Sequence, residues 1–164
     1  MELPKRKSVR FPEYDYSQSG AYFVTICAKD HACLLGVVVG ATCGRPSPVY
    51  CQLSGYGQII ERELQKISQL YYGVIHIDHY VIMPNHIHLL LRIENGECGR
   101  PQVAPTVSRM IQQFKGSITK QIGQSIWQKS FHDRIIRKEQ EYLAKWKYID
   151  GNIFRWQEDE YYKA

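Results

Sequence analysis

The hydrophobic pattern of this chain switches repeatedly between a period of two and a period near 3.6, and the switches mark its elements. Residues 21–28 (AYFVTICA) are aromatic and β-branched and predict a strand. Residues 33–39 (CLLGVVV) predict a second strand, suited to be its hairpin partner, and the Gly/Pro-punctuated stretch that follows, 40–52, predicts a loop. Between 54 and 70, Ile59, Ile60, Leu64 and Ile67 recur at helical spacing with charges between them, and Ser54 is placed as the N-cap. Residues 74–83 and 86–93 predict two strands joined by a turn at Pro84-Asn85. A second Gly/Pro loop spans 94–105. Val107, Met110, Ile111, Phe114, Ile118 and Ile122 then form one face of an amphipathic helix over 106–122. A short strand over 130–137 and a helix over 139–151 complete the order. The succession β, β, α, β, β, α, β, α predicts an α+β sandwich, with helices on one face of a mostly antiparallel sheet and the other face free for a site.

Length and composition narrow the class. The chain has 164 residues, 44% hydrophobic and 23% charged, which fits one soluble domain over 1–164 with a single core. No apolar run is as long as a membrane span, and no apolar signal segment follows the basic start, so a cytoplasmic location is expected. Five cysteines, an odd number with no Cys-x-x-Cys pair, predict reduced thiols rather than a disulfide or zinc framework. The net charge of +5 is modest, but its cations are grouped. Lys5, Arg6, Lys7 and Arg10 make a basic arm within residues 1–20. Lys115, Lys120, Arg134 and Arg137 lie among the many cations of the last third and are candidates for phosphate contacts. For such clusters taken alone, a solvated surface is the favoured reading.

The chemistry concentrates in residues 81–94, VIMPNHIHLLLRIE. On a strand, His86 and His88 face the same way, and Ile87, Leu89 and Leu91 face the opposite way. Two imidazoles side by side on a rigid strand make half of a metal site, although a structural pair bonded to neighbouring carbonyls has the same spacing. On the last helix Tyr148 and Asn152 are one turn apart, so an amide oxygen and a phenol share a face. Packing of Tyr148 against Trp146 or Trp156 is the simpler reading of that residue. The tetrapeptide Cys-Gly-Arg-Pro occurs in both Gly/Pro loops, at 43–46 and 98–101.

The segment VIMPNHIHLLLRIE resembles the His-hydrophobic-His motif of the HUH single-tyrosine transposases. It is most similar to the REP-associated tyrosine transposases, domesticated relatives of insertion-sequence transposases. The resemblance continues through QQFKGSITKQIG (112–123), IWQKSFHDRIIRKEQEYLAKWKYID (126–150), FRW (154–156) and the two Gly-Arg-Pro loops. It covers the chain from about Tyr22 to its end. It implies a ferredoxin-like βαββαβ sandwich with the histidines on a central strand and an added C-terminal helix carrying the tyrosine. It also implies that His86 and His88 bind a divalent metal, Mg2+ or Mn2+, that Asn152 completes the metal site, and that Tyr148 is the nucleophile. Tyr142 is the rival, but one turn on from it stands Trp146, which binds no metal.

The implied reaction is cleavage and rejoining of single-stranded, hairpin-forming repeat DNA through a 5′-phosphotyrosine link, by a monomer or homodimer acting at the nucleoid. In the family pattern proline usually follows the asparagine. Here Ile153 follows, and Gly151, costing a helix interior roughly 1 kcal/mol relative to Ala, predicts fraying at Asn152. Two other classes fit the same residues. A catalytically impaired nucleic-acid-binding module would bind without metal or Tyr148. A metal-dependent hydrolase using water would leave no covalent adduct.

Overall fold

Strand β1 (Gly20–Cys27) lies between two antiparallel neighbours, and this arrangement organises the chain. The computed structural model describes residues 19–40, 48–71, 73–94 and 106–163. The basic cluster of residues 5–10 and both Cys-Gly-Arg-Pro motifs lie outside the described residues. Strands β4 (Ile75–Ile82), β5 (His86–Ile93), β1 and β6 (His132–Ile136) form one antiparallel sheet in that spatial order. With helices α1 (Gly55–Leu70) and α2 (Val107–Ile122) between them, they give the βαββαβ order of a ferredoxin-like sandwich. Helix α3 (Glu139–Asn152) follows β6.

Alternation along β1 and β5 assigns the two faces. Tyr22, Val24, Ile26, Ile87, Leu89 and Leu91 point to one side, where Ile60, Leu64 and Ile67 of α1 and Met110, Ile111, Phe114 and Ile118 of α2 close the main core. Both helices start on side-chain caps. Ser54 Oγ accepts from the Gly57 amide at 3.2 Å, and Thr106 Oγ1 accepts from the Arg109 amide at 3.2 Å. Gly57 is where the chain needs a glycine, because a Cβ there would lie 2.2 Å from the Leu35 carbonyl oxygen.

Three expectations change. The segment read as a hairpin partner for the first strand forms β2 (Gly36–Val39), which pairs instead with β3 (Tyr50–Leu53) in a separate two-stranded sheet. Both edges of β1 are already taken by β5 and β6, so β2 recruits the end of the stretch read as loop. Nor is the second face of the sheet open. There α3 packs on Phe23, Val81, Leu90 and Ile136 through Ile149, with Trp156 beyond its end. Helix α3 also holds its form through Asn152 and continues as a 3-10 segment, Ile153–Glu158, instead of fraying at Gly151. Burial of Ile149, Asn152 and Trp156 outweighs the glycine's propensity cost. Among the described residues, no helix is long and apolar enough to cross a membrane.

Candidate metal centre and tyrosine site

His86 and His88 stand on β5 facing α3, and both are buried. Each ring is held by its Nδ1. Asn85 Oδ1 is 2.8 Å from His86 Nδ1, and Thr25 Oγ1, across the β1–β5 pair, is 2.8 Å from His88 Nδ1. The Asn85 amide has one possible orientation, because its Nδ2 donates to the carbonyls of His31 (3.1 Å) and Tyr161 (2.7 Å). Its Oδ1 can only accept, so His86 Nδ1 carries the proton and Nε2 keeps its lone pair. His31 reaches Asn85 from a turn in which Asp30 and His31 both adopt left-handed backbone, φ 56° and 52°, uncommon without glycine.

Both Nε2 atoms are buried without a hydrogen-bond partner, a costly arrangement that asks for a ligand. Burial pushes the His86 imidazole down to about 4 and holds His88 well below the ordinary value, so both are neutral lone-pair donors at neutral pH. Unfolded histidines bind protons below about 6.5 and these folded ones do not, so stability falls as pH drops from there toward 4. His86 alone withdraws on the order of 3 kcal/mol. Thermal melts of the metal-free protein at stepped pH are expected to show Tm declining across that window. A flat Tm would mean that the rings are not buried neutral.

Helix α3 brings Tyr148 and Asn152 to the histidines. Asn152 is 4% exposed, and its Nδ2 donates to Asp159 Oδ2 at 3.1 Å. Its Oδ1 is therefore presented as an acceptor, and that atom too is buried without a partner. Asp159 was invisible to sequence periodicity, because only the 3-10 segment after α3 folds it back. Its Oδ2 lies 3.8 Å from His86 Nε2, and ligand atoms of His86, His88 and Asp159 all fall within 4.8 Å of one another. This group could hold a metal ion, and its donors, two imidazoles and a carboxylate with an amide oxygen beside them, suit a divalent transition ion.

Tyr148 is half-buried, its ring edge-on to His88 at 5.3 Å and to Phe23 at 5.9 Å. Burial raises its phenol above the usual value, and Asp159 and Glu160 add to that. The Asn152 amide and the Arg155 charge act the other way. The phenol borders a cleft of about 270 Å³ shared with Gly151, Asn152, Arg155 and Asp159. Tyr161, also missed by sequence reasoning, sets its ring 4.8 Å from that of His86. The rival Tyr142 is committed elsewhere. Its hydroxyl donates to Asp78 at 2.8 Å, burial pushes it up to about 12, and Trp146 beside it stacks on His79.

No protein-family model matches the chain. An uncharacterized protein of Haemophilus influenzae is 28% identical over 176 residues, 96% of this chain and 93% of the relative. A solved REP-associated tyrosine transposase bound to a REP hairpin matches with a TM-score of 0.62 at 20% identity, over 89% of this chain and 73% of that one. The chain has the fold of a REP-associated tyrosine transposase.

On this transposase fold the four basic residues singled out from the sequence separate. Arg134 sits opposite Phe23 in the β1–β6 pairing, on the histidine face, where it pairs with Glu141. Arg137 is exposed just after β6. Lys120 is exposed in the last turn of α2, on the far side of the sheet. Lys115 has a structural task. Its ammonium donates to the carbonyls of Gln128 (2.9 Å) and Ser130 (2.8 Å), and burial pulls its pKa down to about 8. Lys115→Ala is expected to lower stability by about 2 kcal/mol, the scale of charged hydrogen bonds, whereas Lys120→Ala leaves Tm in place. Denaturant melts of the two variants distinguish these roles. Lys145, not singled out for DNA contact, lies nearer the site, its ammonium 4.4 Å from the Phe23 ring centroid and 5.3 Å from that of Tyr148.

Proposed function

We propose that the protein is a metal-dependent single-stranded DNA endonuclease and strand transferase of the HUH single-tyrosine class, with Tyr148 as its nucleophile. The observation that carries this reading is the grouping of His86, His88 and Asp159 within 4.8 Å beside Tyr148, with His86 Nε2, His88 Nε2 and Asn152 Oδ1 all buried and without hydrogen-bond partners. Their common orphan state fits a divalent cation held by His86, His88 and Asn152, with Asp159 as a further oxygen ligand. Imidazoles favour Mn2+ over Mg2+, which prefers an all-oxygen shell. A bound ion would polarise a non-bridging oxygen of the scissile phosphate. The structural neighbour's REP hairpin supports hairpin-forming DNA as the substrate class.

The chain's own residues supply the rest. Asn85 and Thr25 fix the two imidazoles through Nδ1. Phe23 and His88 hold the Tyr148 ring at the cleft. The Tyr148 oxygen attacks phosphorus, the bond from phosphorus to the 3′ oxygen breaks, the phenolic proton leaves to solvent, and the departing 3′ oxygen takes a proton from solvent. The products are a 5′-phosphotyrosine and a free 3′-hydroxyl. A 3′-hydroxyl of another strand reverses the step and joins new DNA without external energy, since the phosphodiester is conserved in the tyrosine link. The reading is tested with hairpin DNA taken from the flanks of the gene, incubated with protein and Mn2+ and run on a denaturing gel. A covalent protein–DNA band is expected. DNA binding without any such band would instead assign the protein to the impaired binding modules, and cleavage without it to the hydrolases.

A further inference from the structure

Beside the Tyr148 cleft lies a groove of about 530 Å³ between the β2–β3 hairpin and the 3-10 segment after α3. We propose that this groove binds the single strand adjoining the scissile phosphate, with Phe154 as the platform on which a base stacks. The proposal deepens the function proposed above and rests on it for the class of nucleic acid.

Four observations support it. Phe154 is 69% exposed, the highest value among the large hydrophobic residues described, and it faces the groove with the 62% exposed Val37. An aromatic ring left in water costs hydration free energy that burial against a base would recover. Second, the groove is continuous with the tyrosine cleft, because Arg155 and Glu158 line both. Third, its cations outnumber its acids. Arg155 and Lys163 stand against Glu158, and an exposed aromatic together with cations in one groove is the pattern that holds single strands. Lys163 reaches Asp30 O, which fixes that end of the groove.

Fourth, the glycine that breaks the helical pattern makes room for Arg155. A Cβ at position 151 would lie 3.2 Å from Arg155 Nη2, so the bare backbone lets the guanidinium lie back along α3 toward Tyr148. Phe154 follows Tyr148 by six residues, about 9 Å along a helix axis. A strand anchored at Tyr148 therefore meets Arg155 and then Phe154 within its neighbouring nucleotides.

The test is fluorescence anisotropy with a 5′-fluorescein oligothymidylate, in a Tyr148→Phe background so that binding is read apart from cleavage. Phe154→Ala is expected to weaken binding about tenfold or more, the scale of one lost base–aromatic stack. Phe154→Trp is expected to restore it, which general surface polarity would not do. Exposure of Phe154 predicts unchanged melting for both variants. An affinity within twofold of the parent for Phe154→Ala, or failure of Trp to restore binding, overturns the groove assignment while the proposed function stands. A change in self-association instead of DNA affinity assigns the groove to a second copy of the chain and also overturns it. Absence of single-strand binding by the parent itself overturns both readings.

Discussion

Tyr148→Phe is expected to abolish covalent attachment to DNA, lowering single-turnover cleavage at least ~1,000-fold, the scale seen when a nucleophile is removed, with DNA affinity and Tm kept. The substitution deletes one oxygen. The ring that Phe23, His88 and the Lys145 ammonium contact remains, so packing at the site survives. The oxygen is half of the proposed reaction. Burial, Asp159 and Glu160 hold the phenol above its usual pKa, so phenolate is scarce at neutral pH and the cleft must activate it. Asn152 and Arg155 are the chain's own groups that favour the ionised form. Side-by-side denaturing gels and anisotropy curves check the expectation. Persistent adduct in the variant would place the nucleophile on another tyrosine, with Tyr161 first in line by its distance to His86.

His88→Ala should have the second large effect, a loss of Mn2+ affinity of roughly 100-fold or more. Loss of a group that only orients a metal ligand already costs roughly 10–100-fold in affinity. Removing a ligand removes the donor itself, together with the partner that Thr25 positions. Titration calorimetry, or the electron paramagnetic resonance signal of free Mn2+, reads this directly without relying on activity. Because His88 also stacks on Phe23 at 5.1 Å, a Tm loss is expected alongside. His88→Gln, which fills more of the space, should recover more of the stability than of the metal affinity. Unchanged Mn2+ affinity in both variants would remove the histidine pair from the metal site.

Much of this arrangement was legible in the sequence because it is carried by local periodicity. Alternation through 86–93 assigned His86 and His88 to one face and Ile87, Leu89 and Leu91 to the core. The caps at Ser54 and the 3.6-residue pattern over 106–122 likewise placed α1 and α2. What was missed depends on long-range packing. The run CLLGVVV has strand character, but nothing local says that both edges of β1 are occupied, so its pairing with β3 could not be read. Asp159 enters the site only through the 3-10 turn, in a stretch whose acidity looks like solvated surface. The charge of Lys115 is visible in sequence, whereas the two carbonyls it joins are visible only in the fold. Gly151 looked like a weak point because propensity counts what the helix loses, not the Arg155 guanidinium that the missing side chain admits.

The central claim is that Tyr148 becomes linked to DNA at a site built by His86, His88 and Asn152. Tryptic mapping of the protein–DNA adduct by mass spectrometry tests it most directly, because the sequence isolates the candidates. Tyr148 is the sole tyrosine of the peptide YIDGNIFR, Tyr142 falls in EQEYLAK, and Tyr161 and Tyr162 fall in WQEDEYYK. The account predicts the nucleotide mass on YIDGNIFR, formed with Mn2+ and lost in His88→Ala. A nucleotide on either of the other peptides, or cleaved DNA with every tyrosine peptide unmodified, would contradict it.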